Sequence, residues 1–164
     1  MRGSDRPLVL VVGIGNPDRG DDGVGPVIVR RLKGRVPADV RILECSGDAL
    51  TLLDEWEGFA SVILVDAVAP IGRPGRVHRV DLAKNPLPLA FSPRSTHALG
   101  LAEAIELARC LGRLPRFIAA YLVEGEQFET GASLSPVVAN AVDDVVEAII
   151  TDTPAAWEAW RDHA

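Results

Sequence analysis

Strand and helix periodicities alternate along this sequence. Residues 8–15, LVLVVGIG, form a continuous apolar and β-branched run closed by glycine, and 61–67, SVILVDA, form another. Short runs without polar interruption predict strands buried on both faces, as in a parallel sheet. VRILE at 40–44 and RFIAAYLVEG at 116–125 predict two further strands. RVHRVDL at 76–82 alternates polar with apolar, the pattern of a strand with one wet face near a sheet edge.

Between these strands the period lengthens to that of a helix. A helix is expected from about Val24 to Lys33, with Pro26 in an early turn and Arg30, Arg31 and Lys33 toward its end. A short helix over 48–58 is opened by Asp48. In THALGLAEAIELARCLGR, residues Glu103, Glu106 and Arg109 recur every third position among small and apolar ones, which predicts a broadly packed helix with a narrow wet stripe. The last helix begins with Ser135 as N-cap and Pro136 at the first helical position. Apolar residues at 137, 138, 141, 142, 145, 146, 149 and 150 mark its buried face. AKNPLPLAFSPRS carries three prolines and is expected to be a surface loop. Pro154 is expected to stop the last helix, leaving 152–164 as a tail or short terminal helix on which Trp157 and Trp160 share a face.

The expected fold is α/β, a three-layer sandwich with a mostly parallel, twisted sheet of about five strands and helices on both faces. The 164 residues suit a single domain, with a core over about 8–150. Hydrophobic content of 48% and charged content of 24% are those of a globular chain. A formal charge of −6 argues against nucleic acid as the main partner. The first apolar run is too short to span a membrane and does not read as a cleaved signal. Cys45 and Cys110 lie far apart without CxxC spacing, so a reducing cytoplasm is the expected setting. The oligomeric state is not fixed by the sequence.

GIGNPDRGDDGVG, residues 13–25, changes the picture from fold to chemistry. A glycine-rich turn between strand and helix usually receives phosphate through exposed N–H groups. This one carries Asp18, Asp21 and Asp22, which suits it to a cation or a polar substrate instead. Ligands of open α/β sheets bind beyond the carboxyl ends of the strands. That rule selects Asp21 and Asp22 after the first strand, Glu44, Cys45 and Asp48 after the second, Asp66 at the end of the third, and His97 at the start of a later helix. An aspartate closing an apolar strand must meet a donor, a metal or water. Asp22, Asp66 and His97 make an oxygen, oxygen, nitrogen set compatible with a divalent transition metal that keeps open positions. A helix start would bias His97 toward its neutral form. A Cys45 thiolate paired with His97 is a second way to use the same rim, against a plain reading of Cys45 as a small buried hydrophobe. His78 and His163 read as solvent-facing, and Cys110 as packing.

GIGNPDRGDDGVG, ILVDA, STHALGL and FETGASLSPVV, in this order, resemble the hydrogenase maturation protease family over about Leu8 to Ile150. The resemblance implies a cytoplasmic endopeptidase that removes a C-terminal peptide from the large subunit of a nickel-iron hydrogenase after nickel insertion. It implies that Asp22, Asp66 and His97 are the metal-binding and catalytic residues, with Asp21 orienting the site. Nickel would arrive with the immature large subunit, while another divalent transition metal could take its place in isolation. Gly13, Gly15, Gly23 and Gly25 would let the backbone approach the substrate. Two departures stand out. Some family members carry glutamate where Asp22 stands, and the acid-glycine-glycine common after the second strand is here ECSGD. GIGNP also resembles the opening of peptidyl-tRNA hydrolases, but the threonine-arginine-histidine-asparagine segment that follows there is replaced by DDGVG. A non-catalytic metal- or precursor-binding module on the same fold is a third reading.

Overall fold

Strands β1 (Val9–Ile14) and β3 (Ser61–Val68) are buried at every position, and their alternating side chains feed two separate cores. The computed structural model of the protein describes residues 9–91 and 96–161, with side chains over 9–91 and 100–153. With β2 (Val40–Cys45), β4 (Val77–Asp81) and β5 (Phe117–Glu124), these strands form one sheet in the order β2-β1-β3-β5-β4. Neighbours run parallel except β4, which is antiparallel to β5 at the edge. Helices α1 (Val24–Leu32) and α4 (Pro136–Arg161) cover one face, on Val9, Val11, Ile63 and Val65. Helices α2 (Ala49–Trp56) and α3 (Thr96–Cys110) cover the other, on Leu10, Val12, Val62 and Leu64. The three layers are those expected from the apolar runs. Each such side chain contributes roughly 1.5–3 kcal/mol by leaving water, so a charged residue inside one of these strands needs a separate explanation.

Three expectations are corrected. Pro154 does not stop the last helix: α4 continues through it to Arg161. Proline lacks the N–H that the carbonyl of Ile150 would accept, but the helix is anchored just before the proline. Asp152 accepts the Tyr121 hydroxyl and Arg79 Nε, and the buried Thr153 hydroxyl donates to the Ile149 carbonyl. The side chains of Trp157 and Trp160 lie outside the described residues, as does His163. Helix α3 presents more than a narrow stripe to solvent, because Leu107 and Cys110 are exposed beside Glu103, Glu106 and Arg109. The proline-rich loop is not wholly superficial: Leu89–Phe91 form a 3-10 turn that buries Phe91 against the α2–α3 core. Among the described residues, no helix is long and apolar enough to cross a membrane.

The connection from β1 to α1 is a 3-10 turn, Gly20–Gly23, stitched to the chain between β5 and α4. Its Asp21 is fully buried and accepts four hydrogen bonds, from the N–H groups of Glu126 (2.7 Å), Gln127 (3.0 Å) and Ser135 (2.7 Å) and from the Ser135 hydroxyl (2.8 Å). Removing a buried acceptor strands all its donors at once. Asp21→Ala is therefore expected to lower the unfolding free energy, measured in urea, by about 2–4 kcal/mol. Glu44→Ala, which breaks only a solvent-exposed pair with Arg30, is expected to change it far less; equal losses would contradict the clamp.

Candidate active site

The strand ends that open parallel sheets use for ligands lie here along the carboxyl rim of β1, β2, β3 and β5. Glycine brings the acidic turn onto that rim. After β1 the chain reverses at Gly15, with φ of 134°, where an added Cβ would stand 1.9 Å from the Asp22 carbonyl oxygen. In the first turn of α1, Gly25 rests on β1 and β3; a Cβ there would fall 2.4 Å from the Ile14 carbonyl and 2.6 Å from that of Val65. No other residue allows so close an approach. The turn is thereby laid across the end of β3, next to Asp66.

Asp22 is 3% exposed and accepts the Asn16 N–H through Oδ2 at 2.9 Å. Asp66 is wholly buried, and neither of its oxygens has a hydrogen-bond partner among the described residues. Val62, Leu64 and Val68 of β3 face the α2–α3 core, so alternation sends Asp66 to the same side. Burial pushes the Asp66 carboxyl well above the usual carboxylate range. The negative charge of Asp22 pushes it further, and the adjacent Ala67 N–H offsets only part of this. A carboxylate left without a partner in such surroundings favours whatever brings positive charge to it, a proton or a metal ion.

His97 stands in the first turn of α3, and its side chain lies outside the described residues. The start of α3 meets the rim at Gly100, where a Cβ would lie 2.0 Å from the Gly47 carbonyl in the loop after β2. Asp22 and Asp66 form a pair; among the described residues, no three histidine, cysteine, aspartate or glutamate side chains group closely enough to hold a metal.

The other rim candidates are committed elsewhere. Asp21 is saturated by the four donors described above. Glu44 grips Arg30 of α1 with both oxygens, at 2.8 and 2.7 Å, and this contact holds its carboxyl below the usual range. Asp48 caps α2 by accepting the Thr51 N–H at 3.0 Å. Asp18 is exposed. Cys45 is buried at the end of β2, and burial raises its thiol, which keeps it protonated and a poor nucleophile.

One pair escaped the sequence reading. Glu124 closes β5 much as Asp66 comes near the end of β3, and it is buried, yet it is fully partnered. Its Oε1 lies 2.7 Å from His78 Nε2, and its Oε2 accepts three consecutive N–H groups, of Ile71, Gly72 and Arg73. Burial opposes its charge, but His78 and these N–H groups outweigh it and hold the carboxyl below its ordinary value. His78 is accordingly not solvent-facing: its ring also meets Phe91 edge-on at 4.9 Å. The strand-end rule that picked out Asp66 applies equally to VEG at 123–125.

The hydrogenase maturation protease model matches residues 26–152. Hydrogenase 2 maturation protease of Escherichia coli is 29% identical over 146 residues, 87% of this chain and 88% of that protein. HupD of Rhodobacter capsulatus, a hydrogenase expression/formation protein, is 33% identical over 82% of this chain and 66% of its own length, so this chain spans about two thirds of it. HupD of Bradyrhizobium diazoefficiens is 31% identical over 82% of this chain and 71% of its own. Among solved structures, the E. coli hydrogenase maturating endopeptidase HybD superposes with a TM-score of 0.79 at 26% identity, covering 90% of this chain and 92% of that one.

The strain on Asp66 has a measurable sign. Unfolded, its carboxyl ionises near pH 4; folded, it does so only at higher pH. The native state therefore holds the extra proton between these two values, and stability falls as pH rises through them. Asp66→Asn removes the charge and is expected to stabilise the fold near neutral pH by roughly 1–3 kcal/mol, a gain that disappears below about pH 4. Thermal melts across pH check this; a parallel pH profile for the two proteins would contradict it.

Proposed function

Because the chain belongs to the hydrogenase maturation protease family, we propose that it is the endopeptidase that removes the C-terminal extension from the large subunit of a nickel-iron hydrogenase once nickel has been inserted. The observation that carries this reading is the buried Asp66 carboxylate, beside Asp22 and without a hydrogen-bond partner among the described residues. Nickel enters as part of the substrate. Asp22, Asp66 and His97 are proposed to bind it together, two hard oxygens and one imidazole nitrogen suiting such an ion.

Selectivity then follows from a difference in affinity between two forms of one precursor. An empty precursor leaves Asp66 with its proton, whereas a loaded one replaces that proton with a doubly charged ion. Bound through its nickel, the precursor is held with the peptide bond to be cut over the rim. Hydrolysis requires a proton to leave water as its oxygen joins the carbonyl carbon, and a proton to reach the nitrogen as the C–N bond breaks. An aspartate carboxylate at the rim would take the first proton as general base. Asp21, bound to four donors, holds the turn that carries Asp22 and acts as a positioning residue. The reading places the protein in the cytoplasm, in keeping with Cys45 and Cys110 as free thiols. The tRNA hydrolase alternative has no support from the relatives named above.

Mass spectrometry of the two precursors tests this. The nickel-loaded large subunit is expected to lose its C-terminal peptide and the nickel-free one to remain intact; equal cleavage of both would overturn the reading. Asp22→Asn, Asp66→Asn and His97→Ala are each expected to slow processing by about a hundredfold or more with the fold retained by circular dichroism. Cys45→Ser is expected to process normally, and its inactivity would return the thiol to consideration.

A further inference from the structure

A second cleft, of about 430 Å³, lies between the turn after β3 and the first turns of α4, lined by Arg73, Pro74, Gly75, Arg76, Val137 and Asn140. It begins two residues beyond Ser135, the residue that clamps Asp21. The arginine turn is fastened from two sides. Glu124 accepts the N–H groups of Ile71, Gly72 and Arg73 at 3.1, 3.2 and 2.9 Å. Gly75, with φ of 84°, donates its N–H to the Glu124 carbonyl at 2.7 Å. It also lies so close to α4 that a Cβ would stand 2.8 Å from the Val137 carbonyl.

This arrangement spends the nearby carboxylate on backbone and on His78, so it is not available to the guanidinium groups of the same turn. Arg30, Arg31, Arg35, Arg79 and Arg113 each meet a carboxylate; Arg73 and Arg76 have no such partner among the described residues. In a chain of net charge −6, two unpaired arginines on a fixed turn form a local positive focus. Their planar forks match a carboxylate, and the Asn140 amide is a further donor beside them. Val137 and Ile71, 40% and 48% exposed, add apolar surface that a polypeptide can cover and an inorganic anion cannot.

We propose that this cleft is a substrate-recognition subsite, in which Arg73 and Arg76 hold a carboxylate of the precursor polypeptide, from an aspartate, a glutamate or the chain terminus. That the polypeptide is a hydrogenase precursor rests on the function proposed above; the carboxylate chemistry does not. Preorganising the turn on Glu124 reduces the ordering that binding would otherwise require.

The test uses the full chain, labelled with 15N, and four N-acetylated octapeptides of alternating glutamate and valine or glutamine and valine, each with a free or an amidated C-terminus. The Arg73 and Arg76 side-chain Nε–H signals are expected to shift with carboxylate-bearing peptides, which bind about tenfold tighter than the amidated glutamine peptide at low salt. Arg73→Gln/Arg76→Gln is expected to abolish that preference. Persistence on amidation assigns the carboxylate to side chains, and loss on amidation to the terminus. Equal binding of all four peptides, or an undiminished preference in the double variant, would overturn the subsite whether or not a precursor is cut. With the nickel-loaded precursor, the double variant is expected to raise KM about fivefold to tenfold and leave kcat unchanged. A protein that shows the peptide preference but leaves that precursor uncut would overturn the protease reading alone and support the subsite.

Discussion

A carboxylate cut off from water, with no hydrogen-bond partner for either oxygen among the described residues, is the constraint around which this rim is organised. Asp66 sits near the end of a strand whose other residues are all buried and, apart from Ser61, apolar, and burial there works against its charge. The surrounding chain adds to the difficulty by bringing a second acid, Asp22, close enough to raise the first one further. Such a pair is unfavourable in the resting protein and favourable only when a positive charge is shared between the two. On the proposed reading that charge is the nickel of the precursor, so the stored unfavourable interaction becomes the source of discrimination.

Holding Asp22 against this repulsion requires a rigid turn. Rigidity comes from close backbone approach at Gly15 and Gly25 and from Asp21, whose four donors tie the turn to the start of α4. The adjacent aspartates thus have opposite situations. One is fully satisfied and fixes the backbone; the other accepts the Asn16 N–H and stands beside Asp66. Glu124 repeats the first pattern at the end of β5, where it fixes the arginine turn. The rim carries a buried acidic pair, Asp22 and Asp66, on the β1–β3 side and a basic cleft on the α4 side, and a buried carboxylate anchors the turn at each.

Much of this was legible in the residues. Buried strands announce themselves by uninterrupted β-branched runs, so β1 and β3 and the parallel sheet followed, and the strand-end rule then pointed to Asp22 and Asp66. Periodicity failed where long-range partners decide. Pro154 reads locally as a stop, yet Tyr121 and Arg79, distant in sequence, hold Asp152 and with it the helix. His78 lies in an alternating strand and reads as wet, but Glu124, 46 residues away, draws it inward. Asp21 and Asp22 cannot be told apart from their order in the chain, because what separates them is which donors the β5–α4 connection supplies.

Carbon-13 NMR of the aspartate carboxyls, with Asp66→Asn to assign the signal, reads the proton on Asp66 directly. The Asp66 carbon is expected to titrate well above the ordinary carboxylate range in the protein alone, and added Ni2+ to shift this titration downward. An Asp66 signal that titrates near pH 4 and ignores Ni2+ would contradict this expectation.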